Sequence, residues 1–144
     1  MELIPRQKGV YALILRAEEK RFIVVGNRGG YLIKPGFYAY IGSAQRGLAI
    51  RLKRHLNLKK KKHWHIDYLL DYTQPIAVIV SITSKRIECQ VAQSLLPLLS
   101  FLPGFGVSDC RCKSHLYYHP SLKVLEKEVM KAFSPYPCTF ISLK

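Results

Sequence analysis

Apolar residues in the first third of the chain occur in short runs that are typical of β-strands. Four such runs are rich in β-branched or aromatic side chains, and they lie at residues 9–17, 21–26, 31–33 and 37–41. Polar turns or turns containing Gly and Pro separate them, which favours antiparallel pairing through short connections. The pattern therefore predicts a small antiparallel sheet in the N-terminal part.

The next segment changes from a strand pattern to a helix pattern. We predict that Gly42 and Ser43 end the strand and that Ser43 caps the following helix, because a serine hydroxyl can accept hydrogen bonds from the first free N–H groups. Apolar residues then recur every four positions, at Leu48, Leu52 and Leu56. This spacing places them on one face of a helix over residues 44–58.

The rest of the chain alternates helix patterns with strand patterns. We predict helices at residues 63–72, from residue 85 and at 122–133, and strands at 76–83, 115–118 and 139–143. Pro75 would stop the first of these helices, Ser84 would cap the second, and Pro97 would end it. The strand at 76–83 is almost continuously apolar, which is typical of a strand covered on both faces. We therefore expect one α/β (α+β) domain over residues 1–144, with a mostly antiparallel sheet flanked by helices.

Charge narrows the classes of function more than the overall composition does. Hydrophobic residues make up 49% of the 144 residues, while 23 Lys and Arg against 9 Asp and Glu give a net charge of +14. Residues 20–66 contain twelve Lys or Arg and no acid. Such a run predicts a polyanionic partner, and nucleic acid is favoured over a membrane because no basic amphipathic helix with exposed aromatic residues occurs. No apolar run is long enough for a membrane span, and the N-terminal residues MELIPRQKG contain no apolar signal-peptide core, so a cytoplasmic protein is expected.

The segment after the fourth strand concentrates groups that suit phosphate. Arg51, Arg54 and His55 lie three or four residues apart and share one helix face, beside the turn at the strand end. The residues predicted to contact nucleic acid are Gly42, Ser43, Arg46, Lys53, Arg54, Lys59, Lys60, Lys61 and Lys62. Taken alone, the four consecutive lysines favour a solvated loop, but their place directly after the cationic helix favours a clamp on the phosphodiester backbone.

The four cysteines form no C-x-x-C pair. Cys89, Cys110, Cys112 and Cys138 are therefore expected to be reduced and mostly buried thiols. Cys110, Cys112 and His115 also raise the hypothesis of zinc, with the two cysteines pointing the same way on a strand. The usual spacing and a fourth ligand are lacking, so the sequence does not favour it.

Two triplets and their spacing resemble the GIY-YIG nuclease superfamily. Gly9-Val10-Tyr11 and Tyr40-Ile41-Gly42 occur in order, Arg51 follows Gly42 by nine residues, and Arg54-His55 comes next. The stretch YIGSA…RLKRH resembles that of phage homing endonucleases. The wider pattern, with HWHIDYLL, IECQ and FGVSDCRCKSHLYY, is similar to an archaeal and bacterial branch that is filed as a domain of unknown function. Twenty-eight residues separate the two tyrosines, more than in compact members, which predicts an inserted hairpin.

The resemblance implies hydrolysis of DNA phosphodiester bonds with one divalent metal ion, Mg²⁺ or Mn²⁺. Tyr11 and Tyr40 match the two family tyrosines, and Tyr11 is favoured as the group that takes a proton from water, with nearby cations expected to lower its pKa. Arg51 would hold phosphate oxygens, and His55 would relay a proton or hold the tyrosine. Glu88, in the first turn of a helix, would bind the metal.

Each of these positions also has a purely structural interpretation. The two tyrosines could pack within the sheet, the arginine and histidine could lie on a solvated helix face, and the glutamate could interact with the helix N-terminus. Asp67 and Asp109 are the competing metal ligands. His63 and His65 bracket Trp64, and one of the two histidines could line the site or serve in packing and capping.

One departure from the family pattern affects the activity. The family often has a late asparagine near its site, whereas no Asn follows Asn57 here, so Ser108, Ser114 or His115 would have to replace it. The rival hypotheses are an inactive nucleic-acid-binding module on the same scaffold and a basic structural or RNA-associated protein. A nuclease of this size would select DNA by shape, such as branches or damage, or through a targeting protein.

Overall fold

A six-stranded antiparallel sheet with helices on both faces organises the protein. The computed structural model describes residues 3–26, 29–57, 59–107 and 110–143. The strands in these ranges are β1 (Gly9–Ala17), β2 (Arg21–Val25), β3 (Gly29–Ile33), β4 (Gly36–Ala44), β5 (Gln74–Ile82), β6 (Ser100–Phe101), β7 (Leu116–His119) and β8 (Thr139–Ser142). The helices are α1 (Leu48–Leu56), α2 (His65–Leu70), α3 (Glu88–Leu95) and α4 (Leu122–Phe133). The predicted mixed α+β class is confirmed.

The central strand of the large sheet is β1. The strand order is β6-β7-β4-β1-β5-β8, and each neighbouring pair is antiparallel. Strand β1 is almost entirely buried, as is expected of an apolar strand covered on both faces. Because β4 and β5 occupy both of its edges, no edge remains for β2, and the prediction that β2 pairs with β1 is wrong.

Strands β2 and β3 instead form a separate hairpin between β1 and β4. Ile23 and Val25 are buried, whereas Phe22 and Val24 are exposed, so only one face of the hairpin packs on the protein. This hairpin lies between Tyr11 and Tyr40 in the chain, where the sequence predicted a hairpin.

Two hydrophobic cores lie on opposite faces of the large sheet. On one face, Leu48 and Leu52 of α1 and Leu69 of α2 pack with Tyr11 of β1. On the other face, residues of α3 and α4 pack with the side chains of β1 that point the opposite way, such as Ala12. Helices α1 and α2 therefore lie on the same face as the Tyr11 side chain.

The start of α1 differs from the prediction. Gly42 and Ser43 do not end β4, because they pair with Tyr11 and Val10 of β1. The helix begins at Leu48, after Gly47 with a φ of 121°. The first helical N–H groups donate to backbone carbonyls of the N-terminal segment, Leu48 to Gln7 at 2.8 Å and Ala49 to Pro5 at 2.9 Å. Ser43 is therefore not needed as a cap, and it is not one.

Other helix and strand boundaries in the structure also differ from the predicted ones. Helix α2 is shorter than residues 63–72, and Pro75 lies inside β5, next to a register shift opposite β1, rather than stopping a helix. Helix α3 starts at Glu88 rather than at residue 85, since the Thr83 hydroxyl accepts from the Lys85 N–H and Ser84 caps nothing. Strand β6 was not predicted.

The bounds of the last helix and of the last two strands agree more closely with the predicted ones. Helix α4 has the predicted bounds, and the Ser121 hydroxyl accepts from the Val124 N–H at its N-terminus. Strand β7 lies one residue further along than expected, and β8 forms one edge of the sheet against β5. No described helix is both long and apolar enough to cross a bilayer.

Candidate active site

A cavity of about 310 Å³ opens at one end of the large sheet. The end of β4 meets the start of α2, the start of α3 and the loop before β7 there, and Arg51 reaches it from α1. The lining residues are Tyr40, Ile41, Gly42, Ser43, Arg51, His63, Trp64, His65, Arg86, Glu88, Cys89, Gly106, Cys110 and His115. Three predicted catalytic residues, Tyr40, Arg51 and Glu88, thus share one cavity.

Tyr11 and His55 form a hydrogen-bonded pair directly behind the cavity. The Tyr11 Oη atom lies 2.6 Å from His55 Nε2, and both side chains are buried. The Tyr11 ring also lies 6.4 Å from the Tyr40 ring, because the two tyrosines are diagonal neighbours on one face of β1 and β4. A Cβ atom at Gly42 would lie only 2.4 Å from the Tyr11 hydroxyl. Gly42 is therefore needed to make room for that hydroxyl beside the cavity.

The environment of this pair corrects the prediction about Tyr11. Burial, followed by the nearby Tyr40, raises the pKa of Tyr11, and Arg51 opposes that rise only in part. Burial, followed by the charge of Arg51, lowers the pKa of His55 to about 3. Both side chains are therefore neutral near pH 7. A neutral histidine can accept the Tyr11 proton at Nε2.

Arg51 lies between the strand end and the ring of Trp64. Its Nη1 donates to the Ser43 carbonyl at 2.9 Å, and its Cζ lies 4.2 Å from the centroid of the Trp64 ring. These contacts hold a half-buried guanidinium against the cavity, where its remaining N–H groups can bind an anion. The contact between the Trp64 ring and the Arg51 guanidinium was not predicted from the sequence.

Glu88 places a carboxylate in the same cavity from the opposite side of the sheet. It is the first residue of α3, it is 7% exposed, and its Oε2 lies 3.6 Å from Arg86 Nε. Its Oε1 is buried and has no hydrogen-bond partner within the described ranges. A buried carboxylate oxygen without a donor is costly unless a cation binds it. Glu88 is therefore suited to hold a metal ion, and Arg86 is a second cation in the cavity that the sequence did not identify.

The competing carboxylate Asp67 is not available to a metal. Its two oxygens accept from Arg54 at 2.8 and 2.9 Å, and Oδ2 also accepts from the N–H groups of His63 and Trp64. Burial alone would raise the pKa of Asp67, but these hydrogen bonds outweigh it and lower that pKa to about 2. Arg54 is consequently not the free nucleic-acid-binding cation that was predicted. It holds α1 to the start of α2.

The predicted basic clamp is also smaller than expected. Lys60 Nζ donates to the carbonyls of His55 and Asn57 at the end of α1, and Lys62 pairs with Asp71 at 2.9 Å. Four exposed cations of the predicted set make no ion pair or side-chain hydrogen bond within the described residues, and these are Arg46, Lys53, Lys59 and Lys61. The available positive charge therefore follows α1 and the segment after it.

A second group of potential metal ligands borders the cavity. Cys89, Cys110, Cys112 and His115 place their ligand atoms within 4.8 Å of one another. The predicted trio of two cysteines and one histidine thus gains a fourth member, Cys89, from α3, although Cys110 and Cys112 lie in a loop rather than on a strand. All four cysteines of the chain are free, but they are half-buried rather than fully buried. This group could hold a metal ion, but its thiols do not suit the predicted Mg²⁺.

The candidates for the missing asparagine do not reproduce an amide. Ser114 is buried and its hydroxyl bonds to the backbone of Leu116. His115 lines the cavity but turns its Nε2 towards the thiols. Ser108, together with the competing metal ligand Asp109, lies outside the described residues.

The two histidines beside Trp64 both line the cavity. His63 is exposed, whereas His65 is half-buried and its Nδ1 accepts from the Gly106 N–H at 2.8 Å. His65 therefore ties the start of α2 to the loop before β7.

A family model described as "Domain of unknown function DUF123" matches residues 10–137, which is most of the chain. No curated protein and no solved structure matches.

Proposed function

We propose that this chain, which belongs to the DUF123 family, is a metal-dependent endonuclease of the GIY-YIG type that hydrolyses phosphodiester bonds in DNA. One observation supports this above all others. Tyr40, Arg51 and Glu88 line one cavity, and the Tyr11–His55 pair lies directly behind it. A proton acceptor, an anion-binding group and a metal-binding carboxylate are thus brought together from β1, β4, α1 and α3.

Arg51 binds the scissile phosphate. Its guanidinium presents fixed N–H donors to two phosphate oxygens and stabilises the charge that builds on them in the transition state. Trp64 and the Ser43 carbonyl orient the group before DNA arrives, so little side-chain entropy is lost on binding. Arg86 adds a second positive charge on the Glu88 side of the cavity.

Tyr11 and His55 carry the proton of the attacking water. Because burial raises the pKa of Tyr11, no phenolate is present at neutral pH, and the phenol must lose its own proton as it gains one. The water proton passes to Tyr11 Oη while the Tyr11 proton passes to His55 Nε2 across their 2.6 Å hydrogen bond. The water oxygen bonds to phosphorus, the bond to the leaving sugar oxygen breaks, and that oxygen takes a proton from solvent. A charge on His55 is costly mainly because the side chain is buried, and the bound phosphate offsets the part of that cost that comes from Arg51.

Glu88 holds the divalent ion. A Mg²⁺ or Mn²⁺ ion supplies charge stabilisation to the phosphate oxygens and the leaving group when it is bound. The unpartnered Oε1 is the atom that would coordinate it, and one carboxylate suffices because Mg²⁺ keeps several of its waters.

Nicking of supercoiled plasmid and cleavage of branched or flap DNA test the proposal. Wild-type protein with Mg²⁺ or Mn²⁺ is expected to cleave at least one of these substrates. Arg51→Ala and Glu88→Gln are each expected to reduce cleavage by about 10²-fold or more. Glu126→Gln is the matched control, since Glu126 lies on α4 and outside the cavity lining.

The second candidate is a binding module that does not cleave. The exposed cations of α1 and the following segment favour it, since they need no metal to hold a phosphate backbone. If wild type shifts DNA in a gel but leaves every substrate intact with either metal, the endonuclease is excluded and the binding module remains.

A further inference from the structure

Three thiols and one imidazole converge where the loop before β7 meets the start of α3. We propose that Cys89, Cys110, Cys112 and His115 bind one Zn²⁺ ion as a closed structural site, separate from the metal that Glu88 would hold. This inference concerns the architecture of the chain and does not depend on the proposed cleavage of DNA.

The distances between the ligand atoms match those around zinc. His115 Nε2 lies 3.5 Å from Cys110 Sγ and 3.9 Å from Cys89 Sγ, and all four ligand atoms lie within 4.8 Å of one another. In a tetrahedral site with Zn–S bonds of about 2.3 Å and Zn–N bonds of about 2.0 Å, neighbouring ligand atoms are roughly 3.5–3.8 Å apart. Only a small contraction is needed to close the group around an ion.

The orientation of His115 is an independent observation. Its Nδ1 lies 3.0 Å from the Ile41 carbonyl oxygen, which can only accept, so Nδ1 carries the hydrogen. The lone pair of Nε2 consequently faces the thiols. Metal-bound histidines have this arrangement, in which the second ring nitrogen donates to a carbonyl or carboxylate that fixes the tautomer and the ring.

The donor set selects the type of ion. Thiolates are soft ligands that favour Zn²⁺ over Mg²⁺ and Ca²⁺, and three of them with one imidazole form a known composition of structural zinc sites. Four protein ligands leave no open position for water, so this ion does not perform hydrolysis.

The position of the site explains what the ion would stabilise. Residues 102–107 and 110–115 form turns and irregular backbone, and the site would fix Cys110, Cys112 and His115 to α3 at the end of the sheet. Cys89 directly follows Glu88, and His115 is bonded to Ile41 beside the Tyr40 ring. The zinc ion would therefore hold two walls of the cavity in place.

Metal content of the purified full-length chain tests the proposal. Protein produced without a metal-chelating tag is expected to contain about one zinc per chain by mass spectrometry of the elements. Cys89→Ser and Cys112→Ser are each expected to lose most of it. Cys138→Ser is the matched control and is expected to keep it, because Cys138 is a half-buried cysteine outside the group.

A second measurement on the wild-type chain does not depend on whether the variants fold. Cobalt-substituted protein is expected to show the visible absorption of a tetrahedral thiolate site, and a thiol reagent is expected to modify about one cysteine quickly and three more only after a chelator is added. Protein that contains no zinc, takes up no cobalt and exposes all four thiols alike would overturn the proposal. So would a disulfide within the group in protein kept under reducing conditions. Either result leaves the endonuclease proposal untouched, because cleavage is measured separately.

Discussion

At the scale of single residues, the hydrogen bond between Tyr11 and His55 determines what either side chain can do. The sequence placed them correctly as neighbours of a site but gave the wrong sign for the pKa of Tyr11. The charge of Arg51 lowers the pKa of Tyr11, but the complete burial of the phenol raises it more strongly. Charge can be counted in a sequence, whereas burial depends on the fold, which is why only one of the two effects was foreseen.

Removal of the Tyr11 hydroxyl tests the proposed proton path. Tyr11→Phe keeps the ring and its packing but leaves His55 Nε2 without its partner. We expect the cleavage rate to fall by about 10² to 10⁴-fold, the range for loss of a general acid–base group. DNA affinity in a gel-shift assay should stay unchanged, since the hydroxyl is buried behind Gly42.

The control for this variant is Tyr72→Phe, which removes an exposed hydroxyl outside the cavity lining. It should cleave at the wild-type rate. Full activity of Tyr11→Phe would show that the water proton takes another route, and the role assigned to Tyr11 would then be wrong.

At the scale of elements, one buried ion pair joins α1 to α2. Asp67 is completely buried and accepts two hydrogen bonds from Arg54, while the Arg54 guanidinium also lies 4.1 Å from the Trp64 ring. Arg51 contacts the same ring. The pair therefore supports the orientation of the phosphate-binding arginine as well as the stability of the fold.

Two matched substitutions test how much this pair stabilises the protein. Asp67→Asn removes the charge of the completely buried carboxylate and leaves the half-buried Arg54 without its anion. We expect the free energy of unfolding to fall by about 3 kcal/mol. Asp71→Asn removes the partner of Lys62 in an exposed pair and should cost about 0–1 kcal/mol. Urea denaturation of the two variants measures both losses of stability. Equal losses would contradict the assignment of Arg54–Asp67 as the buried ion pair that joins α1 to α2.

The contribution of Asp67 to the free energy of unfolding should decrease as the pH falls from about 4 towards 2. Its folded-state pKa of about 2 lies below the unfolded value of about 3.9, so its stabilising contribution is complete above that value and is lost as the pH falls towards 2. The contribution amounts to about 2–3 kcal/mol. The difference in stability between wild type and Asp67→Asn is therefore expected to shrink as the pH falls through about 4. A constant difference across that range would contradict the shifted pKa.

Elements were predictable where the local pattern and the fold agree. Strand β1 and helix α4 have the predicted bounds, because one is a continuous apolar run and the other has a serine cap and a regular apolar spacing. The start of α1 was missed because its cap is the backbone of Pro5 and Gln7, which are distant in sequence. Pairing partners were missed for the same reason: the β2–β3 hairpin was identified, but its exclusion from the sheet follows from β4 and β5 filling both edges of β1.

At the scale of the whole molecule, ion pairs within the structure take up part of the positive charge of residues 20–66. The acid-free run suggested a long clamp, yet Arg54 and Lys62 pair with the first acids that follow it, Asp67 and Asp71. Lys59 and Lys61 remain exposed. The sequence therefore predicted that this segment is positively charged, but it did not predict which of its Lys and Arg side chains form ion pairs within the protein.

The salt dependence of DNA binding tests this distribution. Each phosphate contact contributes about 0.9 to the slope of log K against log salt concentration, so the double variant Lys59→Ala/Lys61→Ala should reduce the slope by up to about 2. The double variant Lys123→Ala/Lys127→Ala removes the same charge from α4, on the other face of the sheet, and should leave the slope unchanged. Equal reductions in both variants would mean that binding follows net charge alone.

The candidate site as a whole was only partly readable from the sequence. The tyrosines, the arginine, the histidine and Glu88 came from a resemblance in spacing, and they do converge on the cavity or directly behind it. Arg86 and Cys89 were missed because nothing in their spacing links them to residues on other elements. Cys89 lies 21 residues before Cys110 in the chain, and only the packing of α3 against the loop before β7 brings their thiols together.

The proposed cleavage of DNA requires Glu88 to hold a divalent ion beside Arg51 and Tyr40. Anomalous diffraction from crystals soaked in Mn²⁺ tests it most directly. We predict a manganese peak at bonding distance from Glu88 Oε1, about 2 Å as for other small hard cations, in the cavity lined by Tyr40 and Arg51 and separate from the thiol group. A cavity without such a peak, or manganese found only at the cysteines, would contradict the account.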